Sequence, residues 1–190
     1  MRIIAGSARR TQLTAPRGLA VRPSSDRLRQ ALFDVLAREI EGAEFWDLCA
    51  GTGAVGLEAL SRGASSCLFT EPARPALAAL SENIGRCRFP DASTTVWPTH
   101  WLAAARRLVR EERSFNIVYY DPPYREADYA GVLRVVAAGH LVAAGGLVIL
   151  EHPRKAELPE EVLSFTRERT LGGGSAQTTL FRLVSQPAVG

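Results

Sequence analysis

The sequence predicts an α/β protein built on a mostly parallel, seven-stranded sheet that ends in an antiparallel hairpin. Three observations predict it. From Phe45 onward, short apolar runs alternate with amphipathic stretches, the pattern of strands that pair in parallel under covering helices. A glycine-rich turn, Asp47-Leu48-Cys49-Ala50-Gly51-Thr52-Gly53-Ala54-Val55-Gly56, joins the first such strand to its helix. Near the end, two strand-like runs flank Leu171-Gly172-Gly173-Gly174-Ser175, a short glycine-rich link suited to a hairpin at the sheet edge.

The elements follow in order. Arg2-Ile3-Ile4-Ala5 and Thr11-Gln12-Leu13-Thr14 flank Gly6 and the Arg9-Arg10 pair, which reads as a hairpin with a basic tip. Ser24 or Ser25 then caps a helix of about four turns carrying Leu28, Leu32, Val35, Leu36 and Ile40 on one face, stopped by Gly42. Strands are expected near 45–48, 66–71, 94–97, 115–120, 146–151, 162–169 and 177–184. Helices are expected near 54–62, 75–86, 100–112 and 126–139. The division that results is a basic arm and helix over 1–42 and an α/β domain over 43–190.

Composition narrows the classes of function. The chain has 190 residues, 46% of them hydrophobic, and no apolar run long enough to span a membrane. The start, Met1-Arg2-Ile3-Ile4-Ala5-Gly6, is broken by arginine too early for a secretory signal, so a cytoplasmic protein is expected. Cys49, Cys67 and Cys87 are widely spaced, and only three histidines are present, which disfavours a disulfide framework and any metal site. The net charge of +3 is uneven: residues 1–38 carry eight arginines against Asp26 and Asp34, leaving the rest of the chain acidic. A basic leading segment on such a body is an electrostatic footprint for phosphate, with Arg9, Arg10, Arg22, Arg27 and Arg29 as candidate contacts to a folded RNA.

Two stretches carry chemistry. Gly51, Gly53 and Gly56 let the backbone turn tightly and a ligand approach, and Glu71, 20 residues past Gly51, can accept both hydroxyls of a ribose. That spacing suits a nicotinamide dinucleotide or S-adenosylmethionine. Asp47 favours the second, because a carboxylate there is unfavourable beside a pyrophosphate but receives a cationic α-amino group well. The other stretch is Asp121-Pro122-Pro123-Tyr124, directly after the apolar run Ile117-Val118-Tyr119-Tyr120. Its prolines fix the chain into a rigid shelf, where a carboxylate and a carbonyl accept N–H groups from a planar amine and Tyr124 covers the ring. Trp97 and Trp101 are candidates for lining an adenine pocket, though their spacing suits core packing better.

These residues resemble the class I, Rossmann-like S-adenosylmethionine-dependent methyltransferases, in particular those acting on exocyclic amines. Further stretches extend the resemblance to the bacterial 16S ribosomal RNA guanine-N2-methyltransferase family: Arg2-Ile3-Ile4-Ala5-Gly6, Arg22-Pro23-Ser24, Asp26-Arg27-Leu28-Arg29 with Ala31-Leu32-Phe33, Gly56–Ala64, and Gly145-Gly146-Leu147 before Glu151-His152. It implies methyl transfer to a guanine N2 of 16S RNA, free or in the 30S subunit. S-adenosylmethionine would be held by Asp47, Ala50, Gly51, Gly53, Gly56, Glu71 and Thr99, with Asp121, Pro122 and Tyr124 catalytic, no metal, and a monomeric enzyme. Three departures stand out: Gln30 replaces a glutamate, Thr99-His100 replaces the acid that usually contacts the adenine amine, and the glycine-rich 172–174 turn differs from the family's usual ending. The alternatives are another amine methyltransferase, acting on DNA adenine or protein glutamine, and a non-catalytic RNA-binding protein on the same fold.

Overall fold

The computed structural model describes residues 1–16, 23–123, 127–172 and 174–184. The described strands form one sheet of eight in the order β3-β2-β1-β4-β5-β8-β7-β6. β1 (Glu44–Asp47), β2 (Ser66–Thr70), β3 (Thr94–Trp97), β4 (Phe115–Tyr120) and β5 (Val142–Pro153) pair in parallel. β6 (Glu161–Val162), β7 (Phe165–Leu171) and β8 (Ala176–Leu183) complete the sheet antiparallel. The expected seven strands are thus corrected to eight. The extra one, β6, is two residues long, too short to leave a period of alternation in the sequence.

Helices cover both faces. On one lie α1 (Pro23–Val35), α2 (Ala54–Ser61) and α3 (Arg74–Cys87), packing Leu32, Leu57 and Leu80 against Phe45, Phe69 and Ile117. On the other, α4 (Trp101–Arg110) and α5 (Tyr129–Ala138) pack Trp101, Leu108 and Val132 against Trp46, Val118 and Leu150. Successive strand residues supply opposite layers, as the two-residue side-chain period requires. α1 begins one residue before the expected caps and gives way to a 3-10 turn at Leu36–Arg38, well short of Gly42. α5 starts later than expected because Asp128 caps it, its Oδ1 accepting the Gly131 N–H at 2.7 Å.

The arm folds back on itself as expected. The Ile3 N–H donates to the Thr11 carbonyl and the Arg10 N–H to that of Ile3, each at 3.0 Å, with Arg2 bridged antiparallel to Gln12. It has no core of its own: Ile3, Ala8 and Leu13 are buried in the same apolar layer as α1 and α2. Asn83 of α3, fully buried, straps the arm to the first loop. Its Oδ1 accepts the Thr14 N–H at 2.8 Å, and its Nδ2 donates to the carbonyls of Thr14 and Thr52 at 3.0 and 2.9 Å.

The sheet order places the topological switch between β1 and β4, which run side by side with Asp47 opposite Tyr119. In sheets of this kind, the carboxyl ends of strands at the switch open onto a crevice that binds ligands.

Candidate active site

β1 ends at Asp47, and the chain turns through Gly51 and Gly53, both at positive φ (53° and 79°), before α2 begins. Gly56 and Gly53 serve close packing. A Cβ on Gly56 would lie 2.3 Å from the Phe69 ring, and one on Gly53 2.4 Å from Leu80. The helix therefore sits directly on β2 and against α3. Gly51 differs: a Cβ there would meet nothing nearer than the Cys49 carbonyl oxygen at 4.0 Å, so its face is open to a ligand.

Two carboxylates fix this loop. Glu71, at the end of β2, accepts the Gly51 N–H at 2.9 Å through Oε2 and the Ala73 N–H at 2.8 Å through Oε1. Asp47 Oδ2 accepts the Gly56 N–H at 3.1 Å. Burial pushes the Asp47 carboxyl up from 3.8 to about 7; the Gly56 N–H opposes this and the neighbouring Glu71 charge adds to it. Among the described residues Asp47 makes no ion pair, so a cation arriving beside it would restore the full charge.

The loop opens onto a cavity of about 210 Å³ whose walls include Asp47, Gly51, Arg29, Tyr119, Asp121 and Glu151. The candidates Asp47, Ala50, Gly51 and Asp121, from two distant stretches of sequence, thus meet at one place. Pro122, the next residue, is buried. Sequence reasoning gave no role to Met1, Tyr119 or Glu151, which also line the cavity. The Tyr119 hydroxyl donates to Glu151 Oε2 at 2.5 Å. Burial, then the charges of Glu151, Asp121 and Asp47, holds its phenol well above the ordinary range, so it stays a donor. One signal for this pair existed: on adjacent strands, residues two apart share a face, so Tyr119 and Glu151 follow from Ile117 and Ile149.

Other candidates lie elsewhere. Thr99 sits past the end of β3, its N–H donating to the Trp97 carbonyl at 2.8 Å, outside the cavity walls. Trp101 packs edge-on against Tyr120 with ring centres 5.6 Å apart, and Trp97 stacks under the Arg107 guanidinium at 4.1 Å. Core packing is thus the reading that holds for Trp101. Gln30 donates to Asp34 at 2.5 Å and accepts from Arg62 at 3.1 Å, a neutral bridge between charged groups. Tyr124 and Arg22 lie outside the described residues.

Arg9, Arg10 and Arg27 are exposed and line a separate groove of about 540 Å³ between the arm and α1, together with Arg2. Arg29 does not join them, which corrects the expectation that it contacts RNA. Only 5% exposed, it donates through Nη2 to the Arg2 carbonyl at 2.7 Å and to Asp26 at 2.9 Å. Three residues along a helix turn the side chain from Asp26 onto a common face, but two residues from Arg27 turn it away. Among the described residues, no group of three His, Cys, Asp or Glu could hold a metal, and no helix is long and apolar enough to cross a membrane.

Comparison with known proteins agrees with this architecture. The family described as Conserved hypothetical protein 95 matches residues 1–182. YlbH of Bacillus subtilis (strain 168) is 30% identical over 174 residues, covering 90% of this chain and 94% of its own. Ribosomal RNA small subunit methyltransferase D of Escherichia coli (strain K12) is 29% identical over 186 residues, covering 98% and 91%. The solved structure of yhhF from Escherichia coli superposes with a TM-score of 0.84 at 26% identity, covering 98% of this chain and 99% of that one. At the level of fold alone, a 16S rRNA N2 G1207 methyltransferase from T. thermophilus, solved with AdoMet and guanosine, aligns at TM-score 0.69 and 22% identity over 89% of this chain and 45% of its own. The fold is the Rossmann-like class I methyltransferase fold.

Proposed function

The chain belongs to the Conserved hypothetical protein 95 family, and on that premise we propose that it transfers a methyl group from S-adenosylmethionine to the exocyclic N2 amine of a guanine in 16S ribosomal RNA. The observation that carries this reading is the single cavity in which the β1 loop and the end of β4 meet, with Asp47, Gly51 and Asp121 on its walls. The small-subunit RNA methyltransferase of Escherichia coli, related over 98% of this chain, supports the substrate class.

The residues present fit the cofactor. Its ammonium and sulfonium are cationic, and the cavity wall carries Asp47 and Glu151 besides the Asp121 assigned to the base. Gly51 leaves the loop open on the ligand side. When bound, S-adenosylmethionine supplies an electrophilic methyl group. Asp47 would receive the ammonium. Glu71 would take the ribose hydroxyls with the lone pairs that Gly51 and Ala73 leave, and the Thr99 hydroxyl would accept from the adenine amine. Asp121 and the Pro122 carbonyl would accept the N–H groups of the guanine amine, drawing its lone pair out of conjugation with the ring. Tyr124 would stack on the base. Alignment of nitrogen, methyl and sulfur then supplies most of the rate, and the base must leave its stack to enter. The groove with Arg9, Arg10 and Arg27 would hold RNA phosphates, giving affinity without sequence readout.

The deciding experiment offers radiolabelled S-adenosylmethionine with 30S subunits, naked 16S RNA, DNA and protein extract in separate reactions. Label is expected in N2-methylguanine of the ribosomal RNA. Label confined to DNA or protein would overturn the substrate, and label in none of the four acceptors would overturn the activity.

Asp47 gives the site a pH dependence. Its folded value of about 7 lies above the unfolded 3.8, so its contribution to stability is complete below pH 3.8 and is lost as pH rises through 7. Binding an ammonium requires the ionised form, so cofactor affinity runs the opposite way. It is expected to rise between pH 5.5 and 7.5, falling about tenfold per unit well below the Asp47 value. Asp47→Asn should flatten that slope and raise the melting temperature of the free protein at pH 8 more than at pH 4. Calorimetric titrations across this range, giving a constant Kd for the wild type, would remove Asp47 from the ammonium site.

A further inference from the structure

The proposed cofactor brings a carboxylate as well as two cationic centres, and none of the residues assigned to it above receives that carboxylate. Asp47, Asp121 and Glu151 all line the walls, and a ligand carboxylate placed among them without a cation would be repelled. Arg29 is the one basic side chain among the described wall residues.

Its geometry is that of a held cation. Arg29 is 5% exposed, and the hydrogen bonds it makes to described residues both come from Nη2, to the Arg2 carbonyl at 2.7 Å and Asp26 at 2.9 Å. Nε is buried without a hydrogen-bond partner, 3.9 Å from a Glu58 carboxylate already occupied by the Ile4 and Ala5 amides and by Arg62. A guanidinium has five N–H donors in a planar fork, and a carboxylate is the partner that geometry fits best. The Asp26 and Arg2 contacts fix the plane in advance, which lowers the ordering cost of binding.

We propose that Arg29 binds the α-carboxylate of S-adenosylmethionine, opposite the Asp47 that binds its ammonium, so that α1 closes the amino-acid end of the cofactor site. This rests on the methyltransferase reading. It turns a residue that the sequence suggested for RNA into a cofactor-binding residue, and it makes the basic N-terminal segment part of both sites.

The test compares S-adenosylmethionine with its decarboxylated analogue, which keeps the sulfonium and the amine, by titration calorimetry on the full chain. Wild type is expected to bind the analogue at least about tenfold more weakly, the scale of a lost charge-assisted pair. Arg29→Gln should weaken S-adenosylmethionine by a similar factor and leave the analogue nearly unchanged, so that the preference collapses. Arg29→Lys should keep part of it. A wild type that binds both ligands equally overturns the assignment without reference to any variant's folding. An Arg29→Gln protein that retains the wild-type preference, or that loses both ligands equally while melting as wild type does, overturns it as well. Wild type that binds neither ligand overturns the methyltransferase reading itself, a result distinct from the other two.

Discussion

Asp121→Ala is expected to lower kcat by about 10²–10⁴-fold, the range over which a positioned proton acceptor contributes, while leaving cofactor affinity nearly unchanged. The separation follows from where the groups sit. The ends of the cofactor are assigned to Asp47 on β1, Gly51 in its loop and Glu71 just past β2, whereas Asp121 follows β4 on the other side of the switch. A guanine N2 amine is a weak nucleophile because its lone pair is delocalised. Accepting its N–H groups matters most as the nitrogen becomes tetrahedral, so the loss falls on the chemical step. Asp121→Asn keeps one acceptor without the charge and should fall between alanine and wild type. Single-turnover methylation of 16S RNA at saturating cofactor, with calorimetry for binding, measures both terms. Undiminished turnover in Asp121→Ala would end the proposed role. A parallel loss of cofactor affinity would move Asp121 to the binding site.

The sequence made some of this site legible and hid the rest for physical reasons. The β1 loop and the Asp121 shelf could be read because each is local: strand, turn chemistry and acid lie within ten residues, and their meeting follows from strand order alone. The N-terminal segment could not be read in the same way. Charge density marked Arg27 and Arg29 equally, but on a helix they point in different directions, and only packing against α2 decides which is exposed. Arg27 stayed at the groove, and Arg29 turned inward to the cavity. Tyr119 read as strand core, and it is core, yet its hydroxyl reaches Glu151 at the cavity wall. A tyrosine's apolar ring satisfies the hydrophobic pattern while its polar tip escapes it. β6 leaves no trace in the sequence because two residues carry no period, and the hydrophobic spacing runs past the end of α1 because Leu36 and Ile40 remain buried after the helix has ended.

Glu58 is the case where a buried charge was invisible in the sequence, and its removal is expected to give the largest loss of stability. The side chain is fully buried on α2, accepting the Ile4 N–H at 2.7 Å on one oxygen, and the Ala5 N–H at 3.0 Å and Arg62 Nε at 2.7 Å on the other. Glu58→Ala would leave two arm amides, the Arg62 guanidinium and the nearby Arg29 without this acceptor. Removing one partner from such a buried set costs about 3–5 kcal/mol, or roughly 10 °C in melting temperature for a chain of this size. The loss should begin at the arm, since Glu58 holds its backbone directly. Amide exchange at Ile4 and Ala5 should then become fast while the central strands β1 and β4 keep protection down to the global limit. Because the Arg2 carbonyl also holds Arg29, the same change should weaken S-adenosylmethionine more than its decarboxylated analogue. Glu58→Gln, which retains one acceptor oxygen, should lose less on every count. A Glu58→Ala protein that melts with the wild type and keeps its arm amides protected would mean that water or the neighbouring Ser61, which already binds Ala5 and Ala8, replaces the carboxylate at no net cost.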